Sequence, residues 1–165
     1  LDEPALAAAL ARARADGFDS VAVALLHADL NPAHELAAAR LALAAGFAHV
    51  SLSHEVSPLP RLVPRARTAV VDAYLTPVLR AYVERLTAAV EGTPLWFMTS
   101  AGALVRADAF RGRDAVLSGP AGGVVGVGAT AQAAGAPAVL GFDMGGTSTD
   151  VCRWAGVLER RETSV

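Results

Sequence analysis

The sequence predicts an α/β fold, and three observations carry that expectation. Short continuous apolar runs such as Val21-Ala22-Val23-Ala24-Leu25-Leu26 alternate with helix-length segments. Strands buried on both faces read this way, and helix-length spacers between them imply parallel pairing. Glycine or proline punctuates the boundaries, at Gly17, Asn31-Pro32, Gly46 and Gly92. Finally, an apolar run from Ala138 to Phe142 enters Asp143-Met144-Gly145-Gly146-Thr147-Ser148-Thr149-Asp150-Val151, which reads as strand, tight turn, strand.

In chain order, Pro4 to Ala15 is expected as a helix, with acidic residues ahead of it and Gly17 behind it. Val21 to Leu26 is a strand, Asn31-Pro32 caps a helix running to Ala45, and His49 to Ser53 is a second strand. Pro58, Pro60 and Pro64 mark an extended linker. Ala66 to Val90 is a helix by its 3.6-residue apolar period, with Pro77 either kinking it or restarting it behind Thr76. Pro94 to Met98 is a strand entering the small-residue turn Thr99 to Leu104, and Ala115 to Leu117 is another short strand. Gly119-Pro120 begins a helix to about Ala134, on which Gly122, Gly126 and Thr130 share a face. Ala155-Gly156 is a turn, with a further strand from Val157.

Composition narrows the function classes. With 165 residues and 53% hydrophobic content the chain buries a core and is not a disordered segment. A net charge of −2 with scattered arginines gives no footprint for nucleic acid. The residues from Ala115 to Phe142 carry no charge, but Gly135 and Pro137 interrupt them. A buried helix followed by a buried strand accounts for this better than a membrane span. The single cysteine, Cys152, excludes an internal disulfide and fits a reducing cytosol, so a cytoplasmic location is expected. The four histidines match no common zinc spacing, although His27 falls where a strand ends, a substrate-side position.

The glycine-rich stretch carries the chemistry. Without Cβ atoms, Gly145 and Gly146 let backbone N–H groups point at an anion, and Thr147, Ser148 and Thr149 add hydroxyl donors. Asp143 and Asp150 suit a hydrated Mg²⁺ beside phosphates. Asp-x-Gly-Gly is also ordinary hairpin-turn chemistry, but a plain hairpin needs neither two aspartates nor a run of hydroxyls. The chain has no lysine, which rules out a lysine-dependent P-loop within it.

Asp143 to Asp150 resembles the second phosphate loop of the actin-like ATPase superfamily. Phe110-Arg111-Gly112-Arg113-Asp114-Ala115-Val116-Leu117-Ser118-Gly119-Pro120-Ala121-Gly122-Gly123, the stretch from Leu26 to Glu35, Ser53-His54-Glu55-Val56-Ser57-Pro58 and Val70-Val71-Asp72-Ala73-Tyr74-Leu75 narrow this further. Together they resemble the hydantoinase/oxoprolinase family, nearest to its ATP-dependent 5-oxoprolinase and N-methylhydantoinase A types. At Thr99, Ala101 and Ala103 the chain departs from the Gln, Asn and Gly that the family usually carries.

The resemblance implies an incomplete actin-like (ribonuclease H-like) α/β fold, an internal fragment spanning the end of a first lobe and the start of a second. Residues 1–57 would end the family's N-terminal region and 58–165 would begin its main domain. Within the latter, 119–135 would be the connecting helix and 137–165 the phosphate-loop strands. It implies ATP and Mg²⁺ as cofactors and a small cyclic amide, 5-oxoproline or a hydantoin, as substrate, opened after phosphorylation of the amide oxygen. Asp143 would be catalytic and would hold metal with Asp150, which would either assist the metal or fix the turn. Gly145, Gly146, Thr147, Ser148 and Thr149 would hold phosphates, and Gly119, Gly122 and Gly123 would line the cleft floor. A second, hydantoinase B-type subunit or domain and a homo-oligomer are implied as partners, with no nucleic acid or membrane. Two alternatives remain: a non-hydrolytic nucleotide-binding module, which the altered Thr99 loop favours, and the ATP-using subunit of an acetone-carboxylase-type enzyme.

Overall fold

The computed structural model describes residues 1–157, so the strand expected from Val157 falls almost entirely outside the described residues. The chain divides into two compact units. One comprises Leu1–Thr93 with Arg111–Arg113, the other Pro94–Phe110 and the chain from Asp114 onward.

The first unit opens with helix α1 (Glu3–Ala15), where the Asp2 side chain accepts from Ala5 N–H at 3.0 Å and Pro4 occupies the first turn. Strand β1 (Ser20–Val23) leads through a turn to helix α2 (Ala33–Ala44), and strand β2 (His49–Leu52) follows. Asn31 Oδ1 accepts from Ala33 N–H at 3.1 Å, the capping role its sequence position predicts. β1 and β2 pair in parallel, Ser20 opposite His49 through Val23 opposite Leu52. Residues of one parity, Val21 and Val50, pack on a cluster of Leu10, Ala42 and Phe47 from α1, α2 and the turn after it. Residues of the other parity, His49 and Ser51, face α4. Both faces of the pair are therefore covered, as parallel strands require.

β1 is shorter than the apolar run. Its continuation is drawn off the ladder because Glu35 accepts from Leu25 N–H at 2.8 Å and Arg65 donates to Leu25 O at 2.6 Å.

After one turn of helix, α3 (Ser53–Val56), the long helix α4 (Leu62–Ala89) begins earlier than its periodicity suggests. Pro64 falls in its first turn, where backbone N–H groups have no intrahelical partner to lose. The helix runs unbroken through Pro77. Thr76 does not cap a restart; its hydroxyl donates to Asp72 Oδ1 at 3.0 Å and accepts from Gly112 N–H at 2.9 Å. Val70, Tyr74 and Val78, spaced by one turn, are exposed on α4.

In the second unit, β3 (Trp96–Met98) and β4 (Leu104–Arg106) form an antiparallel hairpin, and Phe97 stacks on Phe110 with centroids 4.9 Å apart. The small-residue turn is thus a hairpin connection rather than the end of a parallel strand. The strand expected at Ala115 to Leu117 is absent. A helical turn, α5 (Gly112–Ala115), stands there because side chains take up its leading N–H groups: Gly112 N–H goes to Thr76 and Arg113 N–H to Asp72. Helix α6 (Ser118–Ala133) follows. β5 (Val139–Met144) and β6 (Thr149–Trp154) then form the second hairpin, in register from Val139 opposite Trp154 to Met144 opposite Thr149. α6 packs against this hairpin so closely that a Cβ on Gly141 would lie 2.5 Å from Val127 Cγ2 and 2.6 Å from Cys152 Sγ. The opposite face of the hairpin carries exposed Leu140, Phe142, Met144 and Val151.

Candidate functional site

The β5–β6 hairpin positions the predicted phosphate loop. Strand parity puts Val139, Gly141 and Asp143 on the face toward α6, with Trp154, Cys152 and Asp150 opposite them. Asp143 and Asp150 are therefore directly opposed partners on one face, one pair before the end of the ladder at the turn. Like charges in that relationship repel. Both are exposed, and a cation between them would relieve the repulsion. The turn closes with Gly145 N–H donating to Ser148 O at 3.0 Å.

Neither Gly145 nor Gly146 uses a left-handed backbone. What they supply is room: among the described residues, nothing lies within 4 Å of a Cβ built on Gly146. Thr147, Ser148 and Thr149 are exposed around the same turn.

α6 brings one of its three singled-out glycines to this loop. A Cβ on Gly123 would sit 3.7 Å from Asp143 Oδ2, so the carboxylate lies over that glycine. Gly122 instead faces Met98 of β3, where the same construction gives 3.6 Å to Cγ, and Gly119 is open. The start of α6 is held by Ser100, whose hydroxyl donates to Asp114 O at 2.8 Å and accepts from Leu117 N–H at 2.9 Å. Thr99, where the family usually carries an amide, is buried, and its hydroxyl bonds to Ala103 O at 3.0 Å across the hairpin turn.

The first unit holds a polar centre that motif reading passed over. Glu35, Arg65, Asp72, Ser51 and Ser53 are all at most 2% exposed. Glu35 accepts from Ser53 Oγ (2.5 Å), Leu25 N–H (2.8 Å), His54 N–H (3.1 Å) and His54 Nδ1 (2.6 Å). Burial alone would raise its pKa, but these donors outweigh burial and hold it below the ordinary value. Arg65 donates to Ser53 Oγ, Asp29 Oδ1, Leu59 O and Leu25 O. Asp72 lies 3.7 Å from His49 Nε2 and accepts from Ser51 Oγ at 2.6 Å. Burial again opposes ionisation, and the His49, Ser51, Arg113 and Thr76 interactions overcome it and hold the pKa well below the carboxylate range.

The sequence hint of this centre was the placement of Asp29, Glu35, Ser53, His54 and Arg65 immediately around predicted element ends. His27, in the turn after β1, is exposed and adopts φ +58°, an uncommon conformation for a residue with a Cβ. The other histidines do not gather: among the described residues no group of three or more His, Cys, Asp or Glu is arranged to hold a metal. No helix of the described residues is long and apolar enough to cross a membrane.

An α/β chain carrying an aspartate-flanked glycine turn is the class that fold and loop define, and comparison with known proteins narrows it. Residues 65–165 match the hydantoinase/oxoprolinase family and residues 1–46 match the hydantoinase/oxoprolinase N-terminal region. The chain belongs to the hydantoinase/oxoprolinase family. It is 45% identical to 5-oxoprolinase of Saccharomyces cerevisiae over 93% of its own length and 12% of that protein. To 5-oxoprolinase 1 of Arabidopsis thaliana the identity is 46%, over 87% of this chain and 12% of that one. The crystal structure of an ATP-dependent caprolactamase from Pseudomonas jessenii superposes with a TM-score of 0.82 at 36% identity, over 93% of this chain and 23% of that one. A nucleotide-free acetone carboxylase structure shares the fold at a TM-score of 0.82 and 22% identity, over 94% of this chain and 23% of that one. The chain thus spans about an eighth of the 5-oxoprolinases it matches and under a quarter of the caprolactamase chain.

Proposed function

We propose that this chain is the phosphate-loop segment of an ATP-dependent cyclic amide hydrolase acting on 5-oxoproline or a hydantoin. The observation that carries the reading is the opposition of Asp143 and Asp150 beside the open Gly145–Ser148 turn, with Gly123 of α6 against Asp143. The 5-oxoprolinase and caprolactamase relatives support the reaction class. The architecture is read as actin-like, with residues to about 135 ending a first lobe and those from 137 beginning a second. The boundary near residue 57 separates the N-terminal region from the main domain. The rest of the nucleotide site would come from elsewhere in a longer protein, in the reducing cytoplasm. A relative named caprolactamase subunit alpha supports a partner subunit of the hydantoinase B type.

A lactam resists water because its nitrogen leaves poorly and its tetrahedral oxyanion is unstable. Moving a phosphoryl group onto the amide oxygen removes the second obstacle. The protein's work is then positioning and charge neutralisation. Gly145, Gly146, Thr147, Ser148 and Thr149 would hold the β- and γ-phosphates through N–H and hydroxyl donors, with Gly119, Gly122 and Gly123 flooring the cleft. The two opposed carboxylates and the exposed turn fit a hydrated Mg²⁺, which when bound supplies countercharge to the phosphates. Asp143 would orient the reacting group.

The test is ADP release by the complete protein with its partner subunit and Mg-ATP, with and without 5-oxoproline. Stimulation with matching glutamate, abolished by Asp143→Asn, supports the reading. ADP release indifferent to 5-oxoproline and hydantoins but dependent on bicarbonate would instead favour a carboxylase. Nucleotide binding without turnover would favour a non-hydrolytic module.

A further inference from the structure

We infer that His54, held by Glu35, is the proton-transfer group for the hydrolytic half of cyclic amide opening. The inference rests on the hydrolase reading given above and assigns a residue to the step that follows phosphorylation.

The position is the first reason. His54 lies two residues beyond Leu52, the last residue of β2, at the carboxyl end of a parallel pair. Open α/β sheets present ligands to residues there. The turn bearing His27 follows β1 at the same end.

The geometry is the second. Glu35 is buried, and its Oε2 accepts from both the His54 backbone N–H at 3.1 Å and Nδ1 at 2.6 Å. Its Oε1 is occupied by Ser53 Oγ and Leu25 N–H. The carboxylate is therefore fixed from two elements and cannot swing away. An ionised carboxylate only accepts, so Nδ1 carries a proton and donates, and in the neutral ring that makes Nε2 the accepting nitrogen. The His54 side chain is 16% exposed, and no buried side-chain nitrogen or oxygen among the described residues lacks a partner, so Nε2 reaches the surface. A buried carboxylate that sets the tautomer of a histidine whose other nitrogen is open is the arrangement of an oriented general base.

The substrate enters as the phosphorylated amide, a C–O–phosphate joined to the ring nitrogen by a double bond. Water adds to that carbon, forming a C–O bond while the π pair of the C=N bond moves onto nitrogen, and one water proton passes to His54 Nε2 and from there to that nitrogen. The remaining C–N bond then breaks with its electron pair on nitrogen, the new hydroxyl becomes the acyl carbonyl, and its proton passes through Nε2 to complete the amine. The products are a free amine and an acyl phosphate. A second water cleaves the acyl phosphate to carboxylate and inorganic phosphate. His54 returns neutral, Glu35 stays ionised, and no oxidant or reductant is needed. Here His54 is the catalytic residue and Glu35 the positioning residue.

The test separates phosphorylation from hydrolysis in the complete enzyme with its partner subunit, by rapid mixing with Mg-ATP and 5-oxoproline. His54→Gln should keep a stoichiometric burst of ADP at a rate within about 3-fold of the parent, while ring opening falls roughly 10²-fold, the scale of general acid–base catalysis. Glu35→Gln should keep the burst and slow ring opening about 10-fold, because an amide no longer fixes the tautomer. Imidazole added to His54→Gly should restore part of the ring opening, which a structural histidine would not allow. Equal loss of burst and product in His54→Gln, or no imidazole rescue, overturns the inference while leaving the hydrolase reading intact. A parent enzyme that gives no amide-dependent ADP overturns both. A Glu35→Gln protein that does not fold leaves the decision to the His54 variants.

Discussion

Gly112 donates its backbone N–H to Thr76 Oγ1 at 2.9 Å, and a Cβ built on Gly112 would stand 2.8 Å from the backbone nitrogen of Thr76. The same Cβ would meet Leu75 Cβ at 2.8 Å. Neither atom is the movable tip of a side chain. Gly112→Ala should therefore cost about 1–3 kcal/mol, as overpacking does. Thermal or urea unfolding measures it, and an unchanged midpoint would mean that the α4–α5 approach is looser than described.

Gly141→Ala should also destabilise by about 1–3 kcal/mol, but by a different route. The obstacles here are side chains, Val127 Cγ2 at 2.5 Å and Cys152 Sγ at 2.6 Å. Trimming one of them should recover part of the loss, so Gly141→Ala with Val127→Ala should cost less than the sum of the singles. Strict additivity in the double-mutant cycle would remove this contact as the cause.

Arg65→Lys should destabilise strongly despite keeping the charge. One guanidinium joins Ser53, Asp29, Leu59 and Leu25 from a fully buried position. A lysine ammonium has three donors and no planar fork. Arg65→Ala removes the charge opposite Asp29, a change that costs roughly 3–5 kcal/mol when a buried pair is broken. Urea midpoints would decide, with Arg65→Lys expected between the parent and Arg65→Ala.

Asp72 gives a pH signature. Its folded pKa is depressed below the ordinary 3.8, so the folded state binds the proton less readily than the unfolded one. The stability it contributes is complete above pH 4 or so, and is lost as pH falls below that toward the folded pKa. Asp72→Asn should lower stability at neutral pH by leaving Ser51 and Thr76 badly matched, yet flatten the loss between roughly pH 4 and 2. Urea midpoints across that range check the slope, and an unchanged slope would assign the acid sensitivity to other groups.

Local chemistry made much of the fold legible. Asp2, Gly17, Asn31-Pro32 and Gly46 mark helix ends by capping and backbone preference, and the β5–β6 hairpin follows from apolar runs around Gly145-Gly146. Legibility fails where side chains from distant positions capture backbone groups. Leu25 leaves its strand because Glu35 and Arg65 hold it, and residues 112–115 coil because Asp72 and Thr76 take their N–H groups. Pro64 misleads because a proline is harmless in a first helical turn, and at Pro77 the helix continues, so Thr76 does not restart it. The hairpin that carries the loop was readable since its motif is contiguous. The Glu35–His54–Arg65 centre was not, since its members lie up to 30 positions apart and meet only after β1, β2 and α4 assemble.

The outer side of the β5–β6 hairpin has a practical consequence at the bench. Leu140, Phe142, Met144 and Val151 give that ribbon a greasy face directly behind the face that carries its two aspartates. Samples of these residues should cling to hydrophobic resins and salt out early. Polar replacements at Leu140 and Phe142 would improve handling without touching Gly141, Asp143 or Asp150, because strand alternation keeps the two sides chemically separate.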